Sequence, residues 1–340
     1  MPNRTPILNF LLLLSSLVIC LLGLELAGRA YITWFAKQGK LFALDDQLGW
    51  VPLPDLNLER KNADGEVWHI VTDARGVRGP ADWPESARTR LLVLGDSFAF
   101  GEGVELAQRF DTLLAAIVPD LSIVNPGVMG YGPQQELIRA RPWIDRLRRG
   151  DLLLVLTYGN DFYDLARTRH GGRPKPWLEE NGDRLIEHPP ATDWLAQLRD
   201  RSYIFTTATR SWARLFVSDE TKERLEHSGE LYRRLLLRAA APLLARGVRV
   251  VIAHHGDEVF PLPFDLREVF AELCPQVSAC VGLDPALRAR PRAEVYLADG
   301  HWAAGGHRIV AQQIGDALRS LPAVIAGSGA QPGNAARPGG

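Results

Sequence analysis

The residues best suited to chemistry lie in four short stretches far apart in the chain. The first is Gly95-Asp96-Ser97-Phe98, directly after the apolar run Leu91-Leu92-Val93-Leu94. Such a run reads as a strand buried on both faces. A serine just past it sits at the carboxyl end, where open α/β sheets bind ligands, and Gly95 lets the chain turn sharply there. A serine hydroxyl alone is a weak nucleophile, so it needs a base and donors for the oxygen that becomes negative on attack. The candidate base is His301, within Leu297-Ala298-Asp299-Gly300-His301-Trp302 just before the final helical stretch. A neutral imidazole there can accept the Ser97 proton, and Asp299 can fix its tautomer and stabilise the imidazolium.

The other two stretches supply donors. Asn125-Pro126-Gly127-Val128-Met129-Gly130-Tyr131-Gly132 follows a second strand-like run, and Gly159-Asn160-Asp161 a third. A glycine N–H and an asparagine amide suit an oxyanion, and loss of one such donor lowers the rate on the order of 100- to 1,000-fold. Each stretch alone would be read as a turn or an Asx-turn; all four at successive strand ends favour one site. Asp96 is expected to hold the nucleophile loop, and His307 to cap or pack the last helix. His254-His255 faces the same end of the sheet and could contact substrate. The cysteines and histidines lack the second pair that zinc needs, and residues 95–103 do not fit Gly-X-Gly-X-X-Gly. Neither a metal nor another cofactor is expected.

These four blocks together resemble the SGNH (GDSL-like) hydrolases over roughly residues 90–321. The resemblance implies Ser97 as nucleophile with its own N–H in the oxyanion hole, Gly130 and Asn160 as further donors, and His301 as base. It departs at the acid. The family usually places it three residues before the histidine, where this chain has Ala298; Asp299 is two before, a spacing that resembles some acyl-transfer relatives acting on polysaccharides. Asp299 is thus read as the acid, or as a residue that orients the loop. The implied activity is a serine esterase acting on an O-acyl group of a carbohydrate or lipid. An O-acyltransferase with the same site, and a membrane-tethered glycan-binding module without catalysis, are the alternatives. The apolar N-terminus followed by Leu48-Gly49-Trp50 and Gly76-Val77-Arg78-Gly79 looks like bacterial membrane-anchored members of that group.

The elements that must position these residues follow from the pattern along 340 residues. Residues 7–27 are nearly all apolar, and about 20 such residues at 1.5 Å each span a bilayer core of roughly 30 Å. Weak cleavage chemistry at Ala27-Gly28 favours an uncleaved anchor over residues 1–30, with Glu25 near the interface and the rest periplasmic or extracellular. Charge does not settle orientation, with Arg4 on one side and Arg29, Lys37 and Lys40 on the other. Residues 31–88 read as a linker and a small β-rich region. Residues 89–322 alternate apolar strands (91–94, 121–124, 152–156, 248–252) with helical stripes, predicting a three-layer α/β/α sandwich with a mainly parallel, flavodoxin-like sheet. Residues 110–118 and the stripe Leu137, Ala140, Ile144 and Leu147 are expected helices, the second kinked at Pro142. The last helix shows Val310, Ile314, Ala317 and Leu321. Residues 166–246 read as an insertion or cap whose aromatics (Trp177, Trp194, Tyr203, Phe205, Trp212) pack its own core or stack on sugars. Residues 323–340 are expected to be disordered. Cys274 and Cys280 are either a small-loop disulfide or two buried thiols. A net charge of −1, with arginines interspersed among acids, gives no reason to expect nucleic acid.

Overall fold

The computed structural model describes residues 5–31, 40–208, 219–256 and 261–321. Arg4, Lys37, Trp212 and the tail lie outside them. The chain opens with α1 (Thr5–Ala30), 26 residues whose mean hydropathy and length are enough to cross a bilayer. Two antiparallel hairpins follow: β1 (Phe42–Asp45) with β2 (Gly49–Pro52), and β3 (Asn57–Lys61) with β4 (Val67–Val71). They bury Trp50, Trp68 and Ile70 against Phe100, Tyr131 and Ile138 of the main body, so they share its core.

Then come β5 (Thr89–Leu94), α2 (Ser97–Phe100), α3 (Phe110–Ile117), β6 (Leu121–Val124), α4 (Pro133–Ile144), β7 (Leu152–Tyr158) and α5 (Gly159–Ala166). Pro142 lies in the last turn of α4, which ends before Leu147, as a ring that removes a backbone donor would dictate. Two charged hairpins follow, β8 (Arg169–His170) with β9 (Arg173–Pro174), and β10 (Trp177–Asn181) with β11 (Arg184–His188), and then α6 (Trp194–Arg201). The helix Ser228–Ala245 leads into β12 (Arg249–His255), and β13 (Ala279–Gly282) is a fifth strand of the main sheet. The sequence had suggested only the cysteine spacing at β13; Cys274 and Cys280 are disulfide-bonded at its entrance, with Cα atoms 5.5 Å apart.

The five strands run parallel in the order β13-β12-β7-β5-β6. Alternate residues feed two cores. Leu92, Leu94, Leu153, Val155, Val250 and Ile252 face α4 and the helices Ser228–Ala245 and Leu266–Leu273. Leu91, Val93, Leu152, Leu154, Val251 and Ala253 face α3 and the final helix Ala304–Ser320. This is the three-layer α/β/α sandwich expected from the apolar runs. The helix Ser228–Ala245 is an ordinary crossover packed on the sheet, which confines the excursion between β7 and β12 to residues 167–227. Leaving β5, the chain builds β6 on one side and then crosses to β7 on the other. The strand order therefore reverses between β5 and β7, the crevice where such sheets bind ligands.

A buried polar clamp fixes the turn after β5. The Arg78 guanidinium, 2% exposed, donates to the carbonyls of Phe100 (3.0 Å), Gly101 (2.8 Å), Val104 (2.6 Å) and His69 (2.9 Å). Arg109 donates to the Arg78 carbonyl at 2.7 Å and forks onto Asp111 at 2.6 and 2.7 Å. Asn125 completes the set, donating to Ala99 O (2.8 Å) and Asp111 (3.1 Å). Gly101 has φ +75°, and a Cβ there would come within 2.8 Å of the Arg109 side chain, so only glycine passes. Removing one partner from a buried ion pair strands the other at about 3–5 kcal/mol. Arg109→Met should therefore lower the thermal midpoint of the full-length protein in detergent by on the order of 10 °C, and an unchanged melting curve would show the clamp to be dispensable.

Candidate active site

Ser97 opens α2, with Asp96 as its N-cap accepting the Phe98 N–H at 2.9 Å. That bond turns the chain off the strand and leaves the Ser97 hydroxyl at the sheet edge. His301 arrives from the opposite end of the sequence in a loop tied by Leu297 N–H to His301 O (2.8 Å) and by pairing of Tyr296 with Trp302. Its Nε2 lies 2.9 Å from Ser97 Oγ, within hydrogen-bond reach. Phe98, with its centroid 5.3 Å from the imidazole, packs beside the ring.

Asp299 approaches His301 at both its backbone and its ring. Its Oδ1 accepts the His301 backbone N–H at 3.1 Å and lies 3.2 Å from the ring Nδ1. The contact with Nδ1 is an ion-pair approach, not an aligned hydrogen bond, and among the described residues Nδ1 has no hydrogen-bond partner. A second carboxylate was not anticipated: Glu102 Oε2 lies 3.4 Å from His301 Nε2. The signal for it was an acid between Gly101 and Gly103, five residues past the serine on a turn that must face the same crevice. Burial pushes the imidazole down, but the Asp299 contact and the charges of Glu102, Asp299 and Asp96 outweigh it and lift its pKa to about 9.

Of the expected donors, Asn160 is bonded to the nucleophile turn, and Gly130 lies against His170. Asn160 Nδ2 donates to Asp96 Oδ2 at 2.7 Å, which ties the third block to the first. Asp161 accepts the Tyr158 N–H at 2.8 Å and so fixes the start of α5 that carries Asn160. Gly130 has φ +75° in the loop before α4, and no backbone carbonyl among the described residues accepts its N–H or that of Ser97. The glycine pressed directly on the nucleophile turn is Gly127, where a Cβ would lie 2.7 Å from Ala99 Cβ and 3.1 Å from Gly95 O. Against Gly130 lies His170, whose Nδ1 bonds Asp164 at 2.7 Å; sequence reasoning passed over both. Asp164 is held low: burial works against its charge, but His170 and the fully buried Lys175 outweigh burial.

One expectation changed. His255 is 2% exposed, bonded through Nδ1 to Asp284 (3.1 Å) and through Nε2 to Tyr296 (2.8 Å), so it supports the His301 loop from inside and cannot meet substrate. His254 stacks on Phe270, with centroids 4.0 Å apart. His307 is buried and accepts the Phe110 N–H at 3.3 Å, packing the last helix as its place suggests. Of the insertion aromatics, Trp177 stacks on His188 with centroids 4.1 Å apart, Tyr203 meets Gly28 of α1, and Trp194 is 70% exposed.

No protein-family model matches the chain, and no curated protein matches it significantly. Among solved structures, it is similar to a member of the lipolytic protein G-D-S-L family from Veillonella parvula (13% identity, 68% of this chain and 100% of that one, TM-score 0.42). It is also similar to a catalytic mutant of Axe2, an acetylxylan esterase from Geobacillus stearothermophilus (13% identity, 67% and 93%, TM-score 0.40). Likeness at this level carries no chemistry across, and the site rests on its own geometry.

The carboxylates around His301 make a measurable difference. Its ring should titrate near the raised value of about 9 in NMR of the labelled protein, remaining cationic at neutral pH and becoming neutral only above that point. Glu102→Gln should move the midpoint down; a midpoint at the ordinary value near 6.5 in the unmodified protein would remove the carboxylates' role.

Proposed function

We propose that the chain is a membrane-anchored serine esterase of the SGNH type. The observation that carries this is the 2.9 Å approach of His301 Nε2 to Ser97 Oγ, made by residues 204 positions apart. In the proposed cycle neutral His301 takes the Ser97 proton as Oγ attacks an ester carbonyl carbon. The carbonyl oxygen gains the electron pair and is met by the N–H groups of Ser97 and Gly130 and by the second Nδ2 hydrogen of Asn160, which exchanges its 3.5 Å contact with Asp164 for the oxyanion. Collapse breaks the ester C–O bond, and the imidazolium returns its proton to the leaving alcohol. His301 then deprotonates a water that attacks the acyl carbon, the acyl–Oγ bond breaks to release the acid, and the imidazolium returns its proton to Ser97 Oγ. Asp299 and Glu102 stabilise the imidazolium between the two proton transfers. Because those same carboxylates favour the cation at rest, kcat/KM should rise about tenfold per pH unit below the His301 midpoint and level off above it.

The apolar α1 and the Cys274–Cys280 disulfide support placing the catalytic body in an oxidising compartment outside the cytoplasm. The substrate class that fits this reading is an O-acyl group on an envelope carbohydrate or lipid. A fluorophosphonate probe should label the folded protein at Ser97, and Ser97→Ala should abolish both labelling and hydrolysis of an aryl acetate. Asn160→Ala should reduce kcat on the order of 100- to 1,000-fold while retaining labelling at a slower rate. Folded protein that neither labels nor turns over would exclude the esterase.

A further inference from the structure

Among the described residues outside α1, the most exposed large apolar side chain is Trp194 of α6, at 70%. Leu195 and Leu198, each 40% exposed, lie beside it. Residues one and four positions from Trp194 on a helix fall within roughly 100° of it, so the three form one outward face. Ala196 and Arg199 of the same helix turn into the body. The other exposed apolar side chains of the body sit on separate elements: Ile117, Ile186, and the valines Val67 and Val71 of β4. Scattered side chains need no explanation, but three on one face of an eight-residue helix do.

The place of this face is fixed by α1. Along residues 6–30 only Glu25, Gly28 and Ala30 are partly covered, so α1 projects from the body and meets it through its last turns alone. Glu25 accepts the N–H groups of Tyr203 (2.7 Å) and Ile204 (3.0 Å), the Ser202 hydroxyl (3.0 Å) and Arg29 Nε (2.7 Å). Arg29 also donates to the Arg201 carbonyl, and the Tyr203 ring packs on Gly28, where a Cβ would have no room. These groups satisfy one another directly after the end of α6. A charge beside hydrocarbon persists when it is paired in this way, so Glu25 and Arg29 mark where α1 leaves the bilayer core. The 26 residues of α1 are about 39 Å long, enough for a core of roughly 30 Å and for this last stretch at headgroup depth. With eight residues α6 is about 12 Å long, so no part of its apolar face lies farther than that from the junction.

We propose that the face of α6 formed by Trp194, Leu195 and Leu198 lies in the interfacial layer of the membrane that α1 spans. This rests on α1 as the anchor and extends that reading, because the body then touches the bilayer at two points. A lipid surface is the occupant that fits, since the face continues directly from the end of the membrane-crossing helix. Tryptophan and tyrosine are the side chains favoured at headgroup level, and Tyr31 at the end of α1 is 60% exposed. Arg201, seven residues on from Trp194 and so on the same side of the helix, is exposed and suits an anionic leaflet. A single tether would let the crevice face any direction. The second contact orients it: α6 packs on β1, and the β1–β2 hairpin holds the loop of Gly130 through Trp50 and Leu48.

The test uses the full-length protein in vesicles of phosphatidylcholine and phosphatidylglycerol that carry a nitroxide either at the headgroup or near the end of the acyl chain. In the unmodified protein a bimane label is placed on the free Cys20 of α1. Cys20→Ser/Leu198→Cys and Cys20→Ser/Leu195→Cys carry the label on the α6 face, two reporters at exposed positions. Cys20→Ser/Arg88→Cys carries it at the amino edge of the sheet, on a side chain that is 77% exposed. Labels at positions 195 and 198 should lose about half their emission to the headgroup nitroxide, as side chains at that depth do, and the position-88 label should not respond. The position-20 label should be quenched by the acyl-chain nitroxide. Quenching at position 20 without quenching at 195 and 198 would overturn the proposal and leave the anchor standing. An unquenched position-20 label would remove the anchor, and the proposal with it. Labels at 195 and 198 whose emission follows protein concentration but ignores both nitroxides would assign the face to a second copy of the chain and also overturn it. Equal quenching at position 88 would show that no particular face is chosen, with the same consequence.

Discussion

The site depends on a guanidinium held inside the protein. Arg78 gathers four carbonyls, three of them from the turn that carries Ser97, where the backbone itself supplies only a long bond from Val104 N–H to Gly101 O (3.4 Å). Burial, then the neighbouring Arg109 charge, pull the Arg78 pKa down to about 9, which expresses how unfavourable the position would be without its acceptors. Asp111 balances the second arginine, and Asn125 links that pair to the loop after β6. One network therefore sets the mutual position of the first two blocks of the site before any substrate arrives, the preorganisation that electrostatic stabilisation requires.

The two N-terminal hairpins extend this logic. The turn between β3 and β4 reaches both halves of the candidate catalytic pair: Asn62 donates to Gly103 O at 3.1 Å on the serine side, and Asp64 accepts the Ala298 N–H at 2.9 Å on the histidine side. The β1–β2 hairpin grips the loop of Gly130, with the Tyr131 hydroxyl donating to Trp50 O (2.6 Å) and Gln135 to Leu48 O (2.7 Å). A region that reads as an appendage to the sheet is thus a brace for the loops at its carboxyl edge. Those loops carry strained or exposed chemistry and have little regular structure of their own.

Legibility in the sequence followed burial. Strands β5, β7 and β12 are apolar on both faces, so they announced themselves as continuous runs, and the serine, asparagine and glycine blocks could be read as what comes next. The edge strand β13 has only four residues, half of them partly exposed, and showed nothing but a cysteine spacing. Strands β10 and β11 hide Leu178 and Leu185 among Glu179, Glu180, Arg184 and Glu187, a pattern that looks like solvated loop until pairing is known. The helix Ser228–Ala245 looked like part of an insertion because it lies in the long stretch between two predicted strands, although Leu231, Leu235 and Leu243 form its core stripe. Arg78 and Arg109 could not be foreseen, since arginine is rarely fully buried unless paired and the pairing is long-range. The same reason concealed Glu102 and the Asp164–His170 pair.

The electrostatics of His301 and of Asn160 are joined through Asp96. Its carboxylate takes Asn160 Nδ2 at 2.7 Å, lies 3.4 Å from Ser97 Oγ and raises the imidazole pKa from a distance. Burial raises the Asp96 pKa and prevails over the bonds from Asn160 and Phe98 and the imidazolium charge, which favour its ionised form. A negative charge beside a developing oxyanion would oppose it, unless the carboxylate fixes a donor that faces the oxyanion and so delivers its effect as orientation. Asp96 holds one Nδ2 hydrogen of Asn160, the contact that such a role would need. The carboxylates of Glu102, Asp299 and Asp96 stabilise the His301 cation, and in the proposed cycle the oxyanion would meet N–H groups, so that one crevice would favour opposite charges a few ångströms apart.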